Sequence, residues 1–415
     1  MLLVRSRIYI LILLLAAATA TRGYSQTFAL HDGDRVVFYG DSITAQRLYT
    51  RFLEDMVLTR YPQMHVDFWN AGVPGDTVNG GYAGNTEARL KRDVFPHKPT
   101  VVTVMLGMND GGYGTFNPKW FDAFTSGYRN LLTEVDTELP GVRITVITPS
   151  PYDEITHGTE FPGYNGVLER YADQISQFGK EPHRMLADFY GPLMNLLITG
   201  KRENPALAQL IIPDRIHPSE SGHWIMAEAL MRAWGMTRIV SSVQLDADSE
   251  KVLDAQNAAV TGIQRTLTGL RWTQLDRSLP LPLNLSDPMM QFLLKISDLG
   301  SVDQQMLRLQ GLKAPRYTLK IDGARVASFT REELAAGVNL AFYPTPMENQ
   351  AKDVDWIEVR RTKLDEARFM LIGEGLNVEG SGEAAKTLEL AQAAMAREQR
   401  EKAQPKAHAF ELAAE

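Results

Sequence analysis

The sequence predicts an α/β fold built on a doubly wound parallel sheet. Five short apolar runs, rich in β-branched and aromatic residues, recur between residues 30 and 240, and amphipathic stretches separate them. Several of these runs are apolar on both faces, which is typical of strands that helices cover on both sides. Strands that alternate with helices form parallel sheets. Such sheets bind their ligands at the carboxyl ends of the strands, so reactive groups are expected there.

The predicted elements follow one another in a regular order. The strands are expected at residues 35–39, 65–69, 100–106, 142–147 and 184–189. A helix is expected at 46–60, because apolar residues there recur at helical spacing and share one face; these are Tyr49, Phe52, Leu53, Met56 and Val57. A second helix is expected at 118–138, with Pro118 near its start and Pro140-Gly141 beyond its end.

Residues 1–25 have the pattern of a cleavable signal peptide. Arg5 and Arg7 precede an apolar run from Ile8 to Ala18, and Ala18-Thr19-Ala20 supplies the small residues of a cleavage site. The run is short for a transmembrane helix, and an uncleaved signal anchor is the alternative. We therefore expect a secreted or periplasmic protein with no stable membrane anchor after cleavage.

Composition excludes several classes of function. The formal net charge is −7, and acidic and basic residues are interspersed without a basic stripe, so nucleic acid is not an expected partner. The chain contains no cysteine, which excludes disulfides, thiol catalysis and thiolate metal sites. Stability must therefore come from the burial of apolar side chains.

The pattern changes after residue 240. Residues 247–270 look like a polar helix, and Asp322-Gly323 predicts the turn of a β-hairpin near 317–328. Thr330 and Glu333 form a capping box for a short helix that Gly337 ends. Two further helices are expected at 347–372 and 381–402, and the last dozen residues are expected to fray. We therefore divide the chain into a signal peptide (1–25), an α/β domain (26–240) and a mostly helical C-terminal accessory region (241–415).

Four motifs follow predicted strands of the α/β domain. The first strand ends in Gly40-Asp41-Ser42, the second runs into residues 70–77 (N-A-G-V-P-G-D-T), and the third ends in Gly107-Met108-Asn109-Asp110. Beyond the fifth strand comes Asp214-Arg215-Ile216-His217. Because the carboxyl ends of parallel strands share one edge, we expect these four loops to lie together.

Each motif offers a group that acyl transfer needs. Ser42 can act as the nucleophile if His217 takes its proton, and Asp214 can orient the imidazole. The backbone amides of Ser42 and Gly75 and the side-chain amide of Asn109 can donate to the oxyanion of a tetrahedral intermediate. A glycine suits this role because a residue without Cβ lets the acyl group approach the backbone.

These motifs, in this order, resemble the blocks of the SGNH (GDSL) hydrolase family over roughly residues 33–236. Gly40-Asp41-Ser42 resembles the first block, Gly107-x-Asn109-Asp110 the third and Asp214-x-x-His217 the fifth. The glycine of the second block falls on Gly75, with Gly72 as the alternative. The resemblance implies a flavodoxin-like three-layer fold and ester hydrolysis without a metal or other cofactor. Residues 241–415 resemble no family that we can name.

Taken singly, the motifs have structural interpretations. Asp41 and Asp110 are interpreted as supporting residues that brace their loops, and His223 with Trp224 as part of helix packing. The stretch 109–116 either shapes a substrate pocket or is a flexible loop. Four aromatic residues of the accessory region are better explained by core packing than by a carbohydrate platform; they are Trp272, Tyr317, Phe342 and Tyr343.

Together the motifs predict an exported serine esterase that cleaves carboxylic esters, with short acyl groups on carbohydrate as the leading substrate. The alternatives are a lipase, lysophospholipase or thioesterase-type acyl hydrolase and an O-acyltransferase, all with the same residues. A glycan-binding protein with vestigial motifs is the alternative of another class. We also expect the accessory region to pack beside the active-site edge and to restrict which esters enter.

Overall fold

The computed structural model describes residues 28–158, 160–372 and 379–415. The predicted signal peptide, residues 1–25, lies outside the described residues. Across these three ranges, no helix combines the length and the apolar character that crossing a bilayer requires.

A parallel sheet of five strands forms the centre of the first domain, in the order β2-β1-β5-β6-β7. A two-stranded ribbon, β3 with β4, interrupts the connection between β2 and β5. The strands are β1 (Arg35–Gly40), β2 (Asp67–Gly72), β3 (Gly80–Gly81), β4 (Gly84–Asn85), β5 (Val101–Met105), β6 (Arg143–Ile147) and β7 (Arg184–Ala187). The five predicted strands are confirmed, as is their parallel arrangement.

Helices connect the strands and pack on the sheet. They are α1 (Ser42–Ala45), α2 (Leu48–Arg60), α3 (Thr86–Arg89), α4 (Pro118–Glu138), α5 (Tyr164–Phe178), α6 (Tyr190–Glu203), α7 (Pro205–Ala208) and α8 (Glu220–Ala233). Rings join α2 to α8, where Phe52 stacks on Trp224 at 4.0 Å between centroids. Rings also join α4 to α5, where Phe124 meets Tyr171 at 4.3 Å. The sheet and its helix layers form the α/β/α sandwich that the sequence predicts.

The accessory region contains two more sheets besides its helices. One has the strand order β10-β11-β16-β13-β14, and the other has β15-β12-β8-β9. The strands are β8 (Ile239–Asp246), β9 (Lys251–Gln256), β10 (Ala258–Arg265), β11 (Gly269–Asp276), β12 (Gln304–Gln310), β13 (Arg316–Ile321), β14 (Ala324–Thr330), β15 (Val338–Asn339) and β16 (Ala407–Ala414). The helices are α9 (Pro288–Ile296), α10 (Arg331–Ala336), α11 (Pro346–Ile372) and α12 (Ser381–Lys402).

The accessory region confirms some local predictions and corrects two. The hairpin β13–β14, the capping box of Thr330 and the two long helices are present. The helix expected at 247–270 is wrong, because those residues form β9, β10 and the start of β11. All six residues of β9 are exposed, so the strand lacks the apolar alternation that would identify it. The expected fraying of the last dozen residues is also wrong, because β16 is the central strand of its sheet.

A second hydrophobic core lies between these elements. Trp272 stacks on Phe410 with ring centroids 5.1 Å apart, and Tyr317 is buried beside them. Phe342 packs on the first core and Tyr343 on the second. Core packing therefore explains all four aromatic residues, as expected. A segment near α9 also joins the first core, although it follows residue 240; its buried residues are Leu281, Leu283, Met290, Leu293, Leu299 and Val302.

Helix α11 lies antiparallel to α2. Leu58, near the end of α2, packs on Val354, and the side chain of Arg47, just before α2, pairs with Asp365 at 3.0 Å. The carboxyl end of α11 therefore lies close to the loop that follows β1.

Candidate active site

Ser42 lies at the carboxyl end of the central strand β1 and is the first residue of α1. Asp41 caps this short helix, because its Oδ1 accepts the amide of Ile43 at 3.0 Å. The strand before it is buried from Val36 to Tyr39, whereas Ser42 is half-buried. A rigid buried strand therefore delivers one small hydroxyl to the edge of the sheet.

The structure brings Ser42 together with His217 and Asp214. The Nε2 atom of His217 lies 2.8 Å from the Oγ of Ser42, and its Nδ1 lies 2.7 Å from the Oδ2 of Asp214. The other oxygen of Asp214 accepts the amides of His217 at 2.7 Å and of Ile216 at 2.9 Å. With the Nδ1 proton directed at the carboxylate, Nε2 is left as the acceptor for the serine proton.

These contacts stabilise the ionised form of Asp214. Partial burial raises the pKa of Asp214, but the amide and ring of His217 and the amide of Ile216 outweigh burial, so its pKa lies below the ordinary value. An ionised carboxylate at this position favours the imidazolium that forms when His217 takes a proton.

Gly75 and Asn109 lie in the loops that follow β2 and β5, as the sequence predicts. Gly75 is the third residue of a turn from Val73 to Asp76, with φ of 73°, a conformation that glycine adopts without strain. Among the described residues, neither its amide nor that of Ser42 has an acceptor. Asn109 donates from Nδ2 to the carbonyl of Asp76 at 2.9 Å, which leaves a second N–H on the same nitrogen.

Gly72 is less suited to donate to an oxyanion. It is buried at the end of β2, and its amide already donates to the Oδ1 of Asn70 at 3.0 Å. Its Cα packs on the backbone of α1, where an added Cβ would lie 2.3 Å from the amide nitrogen of Ala45. The position of Gly72 is therefore explained by close packing against α1, which we call the nucleophile turn because it carries Ser42, the nucleophile that the sequence predicts.

Asp41 and Asp110 are buried beneath the site. Burial raises the pKa of Asp41 to about 7, against the hydrogen bond from Ile43, and the neighbouring carboxyls of Asp110 and Asp76 add to the rise. Burial likewise raises the pKa of Asp110 to about 7, although its Oδ1 accepts the amide of Val78 at 3.0 Å. Asp41 therefore braces its own turn, and Asp110 joins the loops after β2 and β5.

Arg89 was not predicted from the sequence. Its side chain is fully buried and donates to Asp76, to Asp93 at 2.7 Å and to the carbonyl of Ala71 at 2.5 Å. It therefore ties together both ends of the segment that contains Gly75. The stretch E-A-R-L-K-R-D around it reads as an ordinary solvated helix, so the local sequence carries no signal of this burial.

His223 belongs to helix packing, as predicted. It is fully buried in α8, where Nδ1 accepts the amide of Tyr49 at 3.1 Å and Nε2 lies 2.9 Å from the Oε1 of Gln46. Burial lowers the pKa of His223 to about 3, with the charges of His217 and Arg51 acting in the same direction. The ring is therefore neutral and holds the turn between α1 and α2.

The loop after β5 is packed by aromatic rings. The ring of Tyr113 lies 5.5 Å from that of Phe161 and 5.0 Å from that of Tyr164, and its hydroxyl reaches Asn109. This packing argues against the flexible-loop interpretation of the stretch 109–116. Within residues 28–158, 160–372 and 379–415, no group of three or more histidine, aspartate or glutamate side chains is arranged to hold a metal ion.

Comparisons with known proteins agree on the first domain. A family model described as the GDSL-like lipase/acylhydrolase family matches residues 38–225. An acetylxylan esterase from Geobacillus stearothermophilus is 26% identical over 224 residues, which cover 49% of this chain and 94% of the relative. A crystal structure of that esterase covers 50% of this chain and 96% of its own, at 25% identity and a TM-score of 0.42.

One solved structure resembles nearly the whole chain. A gut microbial diltiazem-metabolizing enzyme covers 94% of this chain and 100% of its own, with a TM-score of 0.83 and 23% identity. At this identity the likeness establishes the fold alone, and it extends to the accessory sheets and helices.

Proposed function

We propose that the chain works through an acyl-serine intermediate, on the premise that it is an ester-hydrolysing enzyme whose first domain matches the GDSL-like lipase/acylhydrolase family. The observation that carries the proposal is the 2.8 Å contact between the Oγ of Ser42 and the Nε2 of His217. The 2.7 Å contact between Asp214 and the opposite nitrogen of the same ring supports it.

The proposed reaction has two halves. Ser42 Oγ attacks the ester carbonyl carbon while His217 Nε2 takes its proton, and the carbonyl oxygen becomes an oxyanion. The intermediate collapses as the imidazolium protonates the leaving alcohol. Water then enters, gives a proton to His217 and attacks the acyl-serine to form a second tetrahedral intermediate. This intermediate collapses as His217 returns the proton to Ser42 Oγ, which releases the acid and the free serine.

The oxyanion is assigned to three donors, the amides of Ser42 and Gly75 and the side chain of Asn109. Removal of one such donor typically costs about 2.7–4 kcal/mol of transition-state stabilisation. The amides of Ser42 and Gly75 lack acceptors among the described residues, and Asn109 has an uncommitted N–H, so all three are available to a ligand.

Short acyl groups on carbohydrate are the proposed substrates. The named activity of the Geobacillus relative supports this choice. The partial exposure of the site also supports it, since the side chains of Asp214 and His217 are 55% and 32% exposed and Gly75 faces open space. Such a surface site suits a bulky alcohol. Export is proposed from the leader pattern of residues 1–25.

An ester panel on wild type and Ser42→Ala tests the proposal. The panel contains p-nitrophenyl esters of increasing acyl length and acetylated xylo-oligosaccharides. Loss of the nucleophile should lower kcat at least roughly 10³-fold, whereas the matched control Ser176→Ala, which removes a serine hydroxyl from α5, should keep wild-type turnover. Undiminished turnover by Ser42→Ala would falsify the assignment.

The same panel separates the alternatives. A lipase or thioesterase would prefer long acyl chains. An acyltransferase would transfer the acetyl group to an added sugar acceptor in preference to water. A glycan-binding protein would bind oligosaccharide equally in both proteins and release no acetate at any pH.

A further inference from the structure

The loop after β5 holds Tyr113 in an unusual backbone conformation. Tyr113 has φ of 54° and follows Gly112 with φ of 63°, and the amide of Gly112 donates to the carbonyl of Asn109 at 3.1 Å. Left-handed backbone is uncommon for a large aromatic residue, and such residues concentrate at functional sites. The tight turn directs the phenol back toward the side chain four residues earlier in the chain.

The surroundings fix the direction of this phenol. Its ring packs between Phe161 and Tyr164, and Tyr164 in turn donates to the carbonyl of Met108. A Cβ at Gly111 would lie 2.8 Å from the ring of Tyr164, so the backbone and this ring are in close contact. The hydroxyl of Tyr113 therefore points to one place.

That place is the carbonyl oxygen of the Asn109 side chain. The Tyr113 hydroxyl donates to Oδ1 at 2.8 Å, while Nδ2 donates to the carbonyl of Asp76 at 2.9 Å. A carboxamide can turn over and exchange its oxygen and nitrogen, and only its partners select one orientation. Here the carbonyl of Asp76, which can only accept, selects the orientation that places the NH₂ group beside it, and the Tyr113 hydroxyl donates to the oxygen on the other side. The second hydrogen of the NH₂ group remains for a ligand.

The phenol also stays a donor. Burial raises the pKa of Tyr113, and the charges of Asp41 and Asp214 add to the rise. The hydroxyl therefore keeps its proton at neutral pH and can donate it to the Oδ1 of Asn109.

We propose that Tyr113 is a positioning residue that fixes the Asn109 amide as an oxyanion donor. This inference rests on the proposed function, because it concerns the oxyanion of the same acyl transfer. Tyr113 acts through Asn109 and has no role of its own in proton transfer. The bond it supplies sets the direction of a donor before the substrate arrives, which is the condition for strong transition-state stabilisation.

Tyr113→Phe removes only the hydroxyl and tests the inference. With p-nitrophenyl acetate, kcat should fall about two- to tenfold, the equivalent of one net hydrogen bond, with KM unchanged. The matched control is Tyr128→Phe, which also loses a buried hydroxyl, one that donates to the carbonyl of Val104 in β5 at 3.1 Å. The control should keep wild-type kcat.

A double-mutant cycle with Asn109→Ala separates positioning from packing. Once the amide is gone, Tyr113→Phe should cause no further loss of kcat, because the hydroxyl acts only through that amide. Wild-type kcat in the single Tyr113→Phe variant, or losses that multiply in the double variant, would overturn the inference. If the wild-type protein has no esterase activity, both the proposed function and the inference fail. If wild type and Tyr113→Phe are equally active, only the inference fails.

Discussion

The close packing of Gly72 on the nucleophile turn predicts that Gly72→Ala disables the enzyme. The new Cβ would lie 2.3 Å from the amide nitrogen of Ala45, whereas ordinary contacts begin at 3.4 Å, so the backbone must separate by about 1 Å. Ala45 belongs to the same single-turn helix as Ser42, so the serine moves with it. The 2.8 Å contact to His217 lies close to the limit of hydrogen-bond reach, about 3.2 Å, and would be lost.

The expected magnitude follows from this displacement. A 1 Å misplacement of a reacting group can cost about 10²-fold in rate, and overpacking a close contact typically costs about 1–3 kcal/mol of stability. The assay is kcat/KM with p-nitrophenyl acetate, together with the thermal melting temperature of each variant. Gly72→Ala should lose about 10²-fold in kcat/KM for every acyl length, because the nucleophile itself is displaced.

Gly75→Ala is the matched control. Its Cβ would meet no protein atom within 4 Å, so the only structural cost is a left-handed alanine at φ of 73°, about 1–2 kcal/mol. The variant should fold, and any loss of kcat/KM should increase with acyl length, because in the proposed reaction the acyl group approaches the backbone at Gly75. Wild-type kcat/KM in Gly72→Ala, or an equal loss for all acyl lengths in Gly75→Ala, would refute the reasoning.

Three further predictions follow from the contacts of the site. His217→Ala should lower kcat for p-nitrophenyl acetate at least roughly 10³-fold, because the Ser42 Oγ loses the base that lies 2.8 Å away, and turnover close to wild type would contradict this role. Because burial raises the pKa of Asp110 from 3.8 to about 7, the native state holds this proton more tightly than the unfolded state, and wild type loses stability from this group as pH rises between these values. The urea midpoint of Asp110→Asn relative to wild type should therefore rise between about pH 4 and about pH 7, and a constant difference would exclude this linkage. Asp365→Asn breaks the 3.0 Å ion pair with buried Arg47, whose Nη1 also donates to the carbonyl of Ala45. We therefore expect kcat to fall and the free energy of unfolding to decrease by about 1–3 kcal/mol. Glu366→Gln, which breaks an exposed pair with Lys363 on the same helix, should change stability by less than about 1 kcal/mol, and an equal effect of the two variants would argue against any bracing of the nucleophile turn by α11.

The α/β domain could be predicted from the sequence because each of its elements has a local sequence pattern. The strands β1, β5 and β6 are buried on both faces and appear as continuous apolar runs, and α4 has a proline at its start and a proline-glycine pair after its end. The site motifs were readable for the same reason, since each reactive group directly follows a strand or precedes a helix. The local sequence is therefore sufficient to predict a site residue that lies where a buried strand ends and the chain turns into a helix.

The accessory sheets could not be predicted, because their strands either lack an apolar pattern or pair with strands that are remote in the sequence. Strand β9 is exposed on both faces and shows no apolar alternation. Strand β16 does alternate, with His408, Phe410 and Leu412 buried, but its partners lie in residues 269–276 and 316–321. A strand with such remote partners cannot be told from a loose tail by its own sequence.

The same limit applies to Arg89 and to the phenol of Tyr113. A fully buried arginine in a charged stretch is identified only by the carboxylates and carbonyl that surround it. The contact between Tyr113 and Asn109 depends on two successive left-handed residues, which the sequence G-G-Y-G permits but does not require. The residues that orient the reactive groups were therefore identified only from the three-dimensional structure.

The position of β16 between β11 and β13 has a consequence for biosynthesis. As the nascent chain leaves the ribosome, β11 and β13 emerge well before the strand that must join them. Until it arrives, each presents an unpaired edge on which another chain could form a ladder. We therefore expect chaperone binding and misassembly during translation to concentrate on the accessory region. All five strands of the α/β domain have by then been synthesised and can pair with one another.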